Sequence, residues 1–286
     1  MRRIISFICL IVCAIATLNA QKIKPPEIGI AQPFENDSLV NEMGYHYLVE
    51  TVAKALLPPN ATEGQLSQHL QKMRSLKTKL YAVNIFIPGN IKVVGPEVSE
   101  VALLSYVEIV FQHARAAGVD MIVWGSGGSR RVPDGFDKEK AKEQFIINAR
   151  KVAVLAKKYK ITLALENLNS GETNFINTLQ EALDVVKKVN HPNFLLCADI
   201  YHMLKEGEPA SVIEQTGPYL VHCDLAEKEN RAAPGVNKEN FVPYFKALKK
   251  VNYKGKLILE CQWTNLAEQG RPALNYVQQQ LNEAYK

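Results

Sequence analysis

The sequence predicts a single α/β domain folded as a closed parallel (β/α)8 barrel. Short apolar runs such as 161–167 have the composition of strands that are buried on both faces, as in a parallel sheet covered by helices. These runs alternate with segments of helical periodicity, which favours a right-handed parallel arrangement. The chain has 286 residues, and such a barrel needs about 250, so the length fits one barrel over residues 21–286 after a short leader.

The leader, residues 1–20, has the organisation of a secretory signal peptide. Arg2 and Arg3 precede an apolar run from Ile4 to Ala16 that is too short to span a bilayer comfortably. We expect cleavage after Ala20 and an exported protein, periplasmic or extracellular. No other segment is long and apolar enough to be a membrane span, so no membrane contact is expected once the leader is removed.

The composition is that of an ordinary globular protein, with 47% hydrophobic and 22% charged residues. The formal charge of +5 includes Arg2 and Arg3 and falls to +3 without them. This balance argues against a nucleic-acid partner and against a membrane surface. A small molecule is the expected partner, and the oligomeric state stays open, a homo-oligomer included.

Five cysteines are present, and two of them, Cys9 and Cys13, lie in the leader. The other three, Cys197, Cys223 and Cys261, cannot all pair with one another, and each lies in or directly after a predicted strand. Buried free thiols are therefore expected. By strand alternation Cys223 and Cys261 point away from the barrel axis, which argues against a thiolate metal site.

The first part of the chain is expected to alternate strand, helix, strand, helix, strand. The second strand is the least regular, because Val49 to Leu57 could equally be helical. The third strand is closed by Pro88-Gly89-Asn90. The predicted ranges are 27–31, 39–43, 45–50, 63–76 and 80–87.

A helix is predicted from Pro96 to Ala117. Pro96 suits the first helical position, acidic residues follow it in the first turn, and apolar residues recur at helical spacing up to the stop at Gly118. The fourth strand, 119–124, leads into the glycine-rich loop 125–131. That loop lacks the lysine and hydroxyl residue of a phosphate-binding loop, so we expect a tight rim loop in which Arg130 or Arg131 could contact an anion.

The second half of the chain continues the alternation. Asp137 is a suitable N-cap for a helix that runs to Tyr159, and Thr178 opens another helix with capping-box spacing to Glu181. A final helix is expected to pack over the place where the first and last strands meet. The predicted strands are 161–167, 194–199, 219–224 and 256–260, and the predicted helices after them are 178–189, 208–215, 238–251 and 272–284.

The last four predicted strands each deliver an acid or an imidazole near their carboxyl ends. These residues are Glu166, Asp199, His222 and Glu260. Alternation places each on the strand face that looks into a closed barrel, and the C-terminal rim of such a barrel is where active sites are built. Three carboxylates and one imidazole suit a hard or borderline divalent ion such as Mn, Mg or Co, with Zn also compatible.

These residues and the short motifs around them resemble the xylose-isomerase-like barrels. The likeness is to the sugar isomerase and epimerase branch that includes ketose 3-epimerases and hydroxypyruvate isomerase. It covers nearly the whole chain after the leader. The motifs, in order, are Glu166-Asn167-Leu168-Asn169 leading to Glu172, Asp199-Ile200-Tyr201-His202, His222-Cys223-Asp224, Asn230-Arg231 and Pro234-Gly235.

The resemblance implies a role for each matching residue. Glu166 and Glu260 would act as an acid/base pair. From its position beside the rim, Asp224 could orient His222 or His202, or it could lie at the surface. The loop after Glu166 departs from the family pattern, so the shape of the substrate pocket does not transfer. The implied metal ligands are Glu166, Asp199, His222 and Glu260, and the implied contacts to substrate oxygens are Glu172, His202 and Arg231.

The function expected from these observations is a metal-dependent sugar isomerase or epimerase. It would move a proton next to the carbonyl of a keto sugar, or a related hydroxy-carbonyl compound, through an enediolate. One alternative keeps the site and changes the reaction to a lyase or dehydratase acting on an oxidised sugar. Another is a sugar-binding barrel without catalysis. A barrel nuclease is not expected, because the chain offers few rim histidines and a nearly neutral charge.

Overall fold

A computed structural model describes residues 23–286, and it is a closed barrel of eight parallel strands. Each strand pairs with its neighbour in chain order, and the ring closes where Gly29 of the first strand lies opposite Ile258 of the last. The (β/α)8 prediction is therefore confirmed, while the predicted leader lies outside the described residues. The strands are β1 Ile28–Ala31, β2 Tyr47–Thr51, β3 Lys79–Asn84, β4 Met121–Trp124, β5 Thr162–Glu166, β6 Phe194–Asp199, β7 Leu220–Leu225 and β8 Leu257–Leu259.

Ten helices surround the strands in the described part of the chain, with four short 3₁₀ turns among them. The predicted caps are present: the Thr178 hydroxyl accepts from the backbone N–H of Glu181, and the Asp137 carboxylate accepts from that of Lys140. The helices are α1 Asp37–Glu42, α2 Val52–Leu56, α3 Glu63–Arg74, α4 Glu100–Ala117, α5 Gly127–Arg130, α6 Lys138–Lys158, α7 Leu179–Val189, α8 Ile200–Glu206, α9 Val242–Lys250 and α10 Leu266–Ala284.

Several element boundaries differ from the prediction. Helix α4 begins at Glu100 and not at Pro96, because the Ser99 side chain accepts from the backbone N–H of Ala102 and so caps the helix there. Helix α10 begins at Leu266, six residues before Pro272, because Asn265 caps it. The ambiguous region after Tyr45 holds both candidates in succession, a strand and then the short helix α2.

The strands divide their apolar residues between two cores. Val123, Ala164 and Cys197 form a small cluster inside the barrel, whereas Cys223 belongs to the large core between the strands and the helices. The prediction that Cys223 and Cys261 point away from the barrel axis is thus confirmed, since Cys261 packs against the same large core. All three cysteines of the described chain are free thiols, as predicted; Cys197 and Cys223 are buried, whereas Cys261 is partly exposed.

Strands β3 and β7 each depart from regular alternation, and the irregularity in β7 lies next to the acids of the rim. Leu196 lies opposite Leu220, but Cys197 lies opposite His222, so β7 carries an extra residue, Val221, at this point. Leu220, which strict alternation would place inside the barrel, packs instead in the outer core. After Val221, Asp199 of β6 lies opposite Asp224 of β7 in the strand register, so their two carboxylates lie side by side at the carboxyl rim.

Among residues 23–286, no helix is both long and apolar enough to cross a bilayer.

Candidate functional site

Four carboxylates meet at the carboxyl rim of the barrel. Glu166 and Asp199 are the last residues of β5 and β6, Asp224 is the next to last of β7, and Glu260 follows β8 directly. One oxygen from each lies within 4.8 Å of the corresponding oxygen of every other. Glu166, Asp199 and Asp224 are buried, while Glu260 is partly exposed.

Burial and mutual repulsion disfavour ionisation of this cluster in the protein alone. Burial raises the pKa of Glu166 well above its ordinary value, and the charges of Glu260 and Asp199 raise it further. Burial also raises the pKa of Asp199 to about 6 and that of Glu260 to about 8, although Arg231 lowers both. A cation at the cluster would favour the ionised carboxylates.

Arg231 is the guanidinium that contacts this cluster. It pairs with the carboxylate of Glu260, and it lies 3.3 Å from Glu172 Oε1 and 3.6 Å from Asp199 Oδ2. Its guanidinium carbon is 4.8 Å from the centre of the Tyr201 ring. Burial lowers the pKa of Arg231, but the neighbouring carboxylates, with Glu260 first, raise it more, so the side chain stays charged.

The loop that carries Arg231 is held by a buried acid, Glu227. Its carboxylate accepts hydrogen bonds from the backbone N–H groups of Gly235, Asn237 and Glu239. Arg231 itself has a φ of +49°, in the left-handed region that non-glycine residues rarely adopt. The loop is therefore fixed in the conformation that brings Arg231 to the carboxylates.

His202 reaches the cluster from helix α8 in a defined tautomer. Its Nδ1 accepts from the backbone N–H of Asn169 at 3.1 Å, with the side-chain amide of Asn169 also nearby at 2.7 Å. The proton of the neutral ring is therefore on Nε2. Nε2 lies 3.4 Å from Asp199 Oδ2, 3.8 Å from Glu166 Oε1 and 4.0 Å from Glu172 Oε2. Burial lowers the pKa of His202 to about 3, so the ring is neutral.

His222 lies beneath the carboxylates, inside the barrel. Its Nε2 is 2.9 Å from Asp224 Oδ1, and its ring stacks on Tyr81 with centroids 5.7 Å apart. The Cys197 thiol donates to the other oxygen of Asp224 at 3.2 Å. Thus Glu166, Asp199 and Glu260 come together as the sequence analysis expected, but the group of four that they form includes Asp224 in place of His222.

The residues expected to touch substrate border the same cluster. Glu172, His202 and Arg231 lie beside Asp199 and Glu260, with Glu172 exposed, Arg231 partly buried and His202 fully buried.

Sequence reasoning missed Asn84, the last residue of β3. Its side-chain amide donates to Glu260 Oε1 at 2.6 Å, and its Oδ1 is buried without a partner. The predicted third strand ran to residue 87, which put Asn84 in its interior, whereas β3 ends at Asn84, so the strand-end rule did not select this residue. The roles of Glu227 and Asn169 were also missed. Glu227 accepts from backbone N–H groups and Asn169 donates to the ring of His202, and only the folded loops bring these partners close.

Both arginines of the glycine-rich segment 125–131 donate to backbone carbonyls. Arg130 is fully buried and donates to the carbonyls of Trp124 and Ile176, and Arg131 donates to the carbonyl of Glu172. Burial keeps Arg130 from an anion in solvent, while an anion contact of the exposed Arg131 stays a prediction. A glycine is needed at 125, because a Cβ there would lie 2.1 Å from Glu166 Oε2.

The cluster suits a divalent cation. Oδ2 of Asp199 is buried without a hydrogen-bond partner. Hard divalent ions take carboxylate oxygens as ligands, and an ion here would offset the repulsion among the four acids. Glu166, Asp199, Asp224 and Glu260 form the group of four that could hold it, and two overlapping groups of three, Glu166 with Asp199 and His202 and Cys197 with His222 and Asp224, have compatible distances as well.

Comparison with curated proteins finds sugar epimerases and isomerases. The chain is 34% identical over 125 residues to D-psicose 3-epimerase of Ruminiclostridium cellulolyticum, which is 43% of this chain and 42% of the relative. It is 30% identical over 164 residues to the putative hydroxypyruvate isomerase of Homo sapiens, 54% of this chain and 58% of the relative. These matches thus span about half the length of each relative.

The fold is similar to solved structures over nearly the whole described barrel. The structure of D-psicose 3-epimerase with D-tagatose from Clostridium cellulolyticum H10 superposes with a TM-score of 0.76, at 21% identity, covering 89% of this chain and 99% of that one. The family model for the xylose isomerase-like TIM barrel matches residues 38–282. The chain therefore belongs to the xylose isomerase-like TIM barrel family.

Proposed function

We propose that this protein is a divalent-metal-dependent isomerase or epimerase of a keto sugar. The observation that carries the proposal is the meeting of Glu166, Asp199, Asp224 and Glu260 within 4.8 Å at the barrel rim, beside the charged Arg231. The identities of the curated relatives, a psicose epimerase and a hydroxypyruvate isomerase, support the same class of reaction.

Glu166 and Glu260 are the proposed acid/base pair. They project from β5 and β8, which are three strands apart in the ring of eight, so they approach a bound sugar from different sides. One carboxylate takes the proton from the carbon next to the carbonyl, and the electrons of that C–H bond pass into the enediolate. Return of a proton from the other side inverts the carbon, and return to the neighbouring carbon moves the carbonyl.

The divalent ion, His202 and Arg231 would orient the sugar and stabilise the enediolate. When bound, the divalent ion supplies positive charge that favours negative charge on the substrate oxygen. Nε2 of His202 carries its proton toward the site and can donate to an oxygen, and Arg231 presents a second donor group beside Glu172. Donors fixed in place before the reaction need no reorganisation during it.

The charge of the site favours an uncharged substrate. Five carboxylates, those of the four clustered acids and of Glu172, face one guanidinium and one divalent ion. Such a site is negative at neutral pH and would repel the carboxylate of hydroxypyruvate or a phosphate group. A neutral keto sugar is therefore the proposed substrate, with an anionic hydroxy-carbonyl compound as the second candidate, suggested by the human relative.

The test is solvent exchange with a panel of keto sugars in heavy water. The metal-loaded protein should place deuterium at the carbon next to the carbonyl of at least one neutral ketose and give an isomer of unchanged skeleton. Glu260→Gln should stay folded, bind metal weakly and lose exchange, while Glu283→Gln, an exposed acid on α10, should behave as wild type. Undiminished exchange in Glu260→Gln would remove that residue from the mechanism, and loss of water from the product would indicate a lyase.

Export of the protein is also a proposal, and its basis is the sequence of residues 1–20 alone. Amino-terminal sequencing of protein recovered from its native cell should begin at Gln21. A first residue of Met1 would contradict export by this leader.

A further inference from the structure

Two histidines border the carboxylate cluster, and the hydrogen bonds of each favour a proton on the nitrogen that lies nearest the acids. A histidine binds a metal through a ring nitrogen that carries no proton. Hydrogen-bond partners decide which nitrogen of a neutral ring is protonated. The partners of both histidines are therefore the evidence on which the metal's ligand set can be decided.

The ring of His222 is hydrogen-bonded to the carboxylate of Asp224. The nitrogen nearest the cluster, Nε2, is 2.9 Å from Asp224 Oδ1, and a carboxylate can only accept, so Nε2 carries the proton. The electron pair is then on Nδ1, which is buried without a hydrogen-bond partner. Stacking on Tyr81 restrains rotation of the ring that would exchange the two nitrogens.

The distances would allow His202 to bind an ion together with Glu166 and Asp199, but its hydrogen bonds argue against this role. Its Nδ1 accepts the backbone N–H of Asn169, which leaves the proton on Nε2, the nitrogen that faces Asp199 and Glu166. That nitrogen can donate a hydrogen bond. It could bind an ion only if its proton moved to Nδ1, and the hydrogen bond from Asn169 would then be lost.

Asp224 is held where a ligand is needed. Its carboxylate is grouped with those of Glu166, Asp199 and Glu260, and it is fixed from below by His222 and by the Cys197 thiol. The buried and unpartnered Oδ2 of Asp199 points independently to a missing ligand at the same place.

We propose that the ion in this barrel is bound by oxygen alone, with Asp224 as the fourth ligand and with His222 and Cys197 as residues that position Asp224. This inference rests on the proposed function and refines it, because the sequence had assigned the fourth position to His222. Oxygen-only sites suit Mg²⁺ and Mn²⁺, whereas imidazole ligands favour Zn²⁺ and other later transition metals. The site therefore prefers Mn²⁺ or Mg²⁺ to Zn²⁺ more strongly than a site with a histidine ligand would.

The direct test is pulsed electron paramagnetic resonance of the full chain loaded with one equivalent of Mn²⁺. Directly bound nitrogen modulates the electron spin echo, and carboxylate oxygen does not. The wild-type protein should show no modulation from directly bound ¹⁴N. Asp224→His, which places an imidazole at the proposed ligand position, is the positive control and should show it.

Calorimetric titration of the metal-free protein with MnCl₂ is the second measurement. His222→Gln should weaken Mn²⁺ binding about 10- to 100-fold, as expected for a residue that orients a ligand. Asp224→Asn should weaken it more, and Asp224→His should shift the preference from Mn²⁺ toward Zn²⁺.

The outcomes separate this inference from the proposed function. A ¹⁴N signal in wild type that is lost in His222→Gln, or in His202→Gln, would overturn the oxygen-only site and leave metal dependence intact. Absence of saturable Mn²⁺ binding by wild type would overturn both. Binding without a ¹⁴N signal in a protein that exchanges no sugar proton would support the ligand set and contradict the isomerase.

Discussion

The side-chain amide of Asn84 donates a hydrogen bond to Oε1 of Glu260 at 2.6 Å, joining the ends of strands β3 and β8. The other carboxylate oxygen of Glu260 pairs with Arg231, so the proposed base is held from two sides. We predict that Asn84→Ala lowers kcat about 10-fold with a smaller change in KM, because the carboxylate loses its orientation rather than its charge. Steady-state kinetics check this against Asn282→Ala, an exposed position on α10. An unchanged kcat would show that Arg231 alone orients Glu260.

Gly125 tests the placement of Glu166 without changing any polar group. A Cβ at position 125 would lie 2.1 Å from Glu166 Oε2, so Gly125→Ala must displace that carboxylate. We expect kcat to fall about 100-fold, since small misplacements of a reacting group have effects of this size. The control is Gly64→Ala in helix α3, where the added methyl group meets nothing within 4 Å. Wild-type turnover in Gly125→Ala would contradict the role of Glu166.

Glu227 should affect substrate binding through the loop that carries Arg231. Glu227→Gln replaces one acceptor oxygen by a donor and so breaks part of its set of backbone hydrogen bonds. We expect kcat/KM to fall about 10-fold, mainly through KM, because Arg231 is no longer fixed beside the substrate. Glu229→Gln, an exposed acid in the same loop, should leave both constants unchanged. Equal effects of the two variants would indicate a general effect on the loop.

The stability of the metal-free protein should depend on pH. The pKa of Asp199 is raised to about 6 and that of Glu260 to about 8, chiefly by burial, so the folded state holds these protons more tightly than the unfolded chain does. An acid with a raised pKa destabilises the fold as pH rises from its ordinary value through its folded value. With a chelator present, the free energy of unfolding should therefore fall between about pH 5 and about pH 8.

Added Mn²⁺ should oppose that fall, because an ion bound to the folded state favours the ionised carboxylates. Urea unfolding at both pH values, with chelator and with MnCl₂, measures the difference. The stabilisation by Mn²⁺ should be larger at the higher pH. Equal stabilisation at both would argue against binding at these acids.

The strand pattern alone was enough to predict the barrel and most of the site. Glu166 and Asp199 end their strands as expected, and period-two alternation placed them inside the rim. The ligand role predicted for His222 stays a prediction. The structure places Asp224 in the group of four acids, and His222, two residues earlier on the same face of β7, lies one level deeper in the barrel.

The remaining differences come from contacts that local sequence does not encode. Asn84 is 176 residues from its partner Glu260, and no helical or strand period relates the two. The extra residue at Val221 reflects how β6 and β7 fit together, which depends on both strands at once. Helix α4 begins after its side-chain cap, Ser99, although Pro96 was the predicted first residue.

The rings of Tyr81 and His222 stack with centroids 5.7 Å apart inside the barrel, where the apolar cluster of Val123, Ala164 and Cys197 also packs. With the interior occupied by these side chains, a substrate of the proposed reaction would reach the acids from the carboxyl rim. A sugar would then have to enter with its reacting end leading, so a long glycan would not be modified at an internal unit. This protein should discriminate by chain position as well as by stereochemistry, acting on free monosaccharides or on the exposed reducing terminus of a short oligosaccharide.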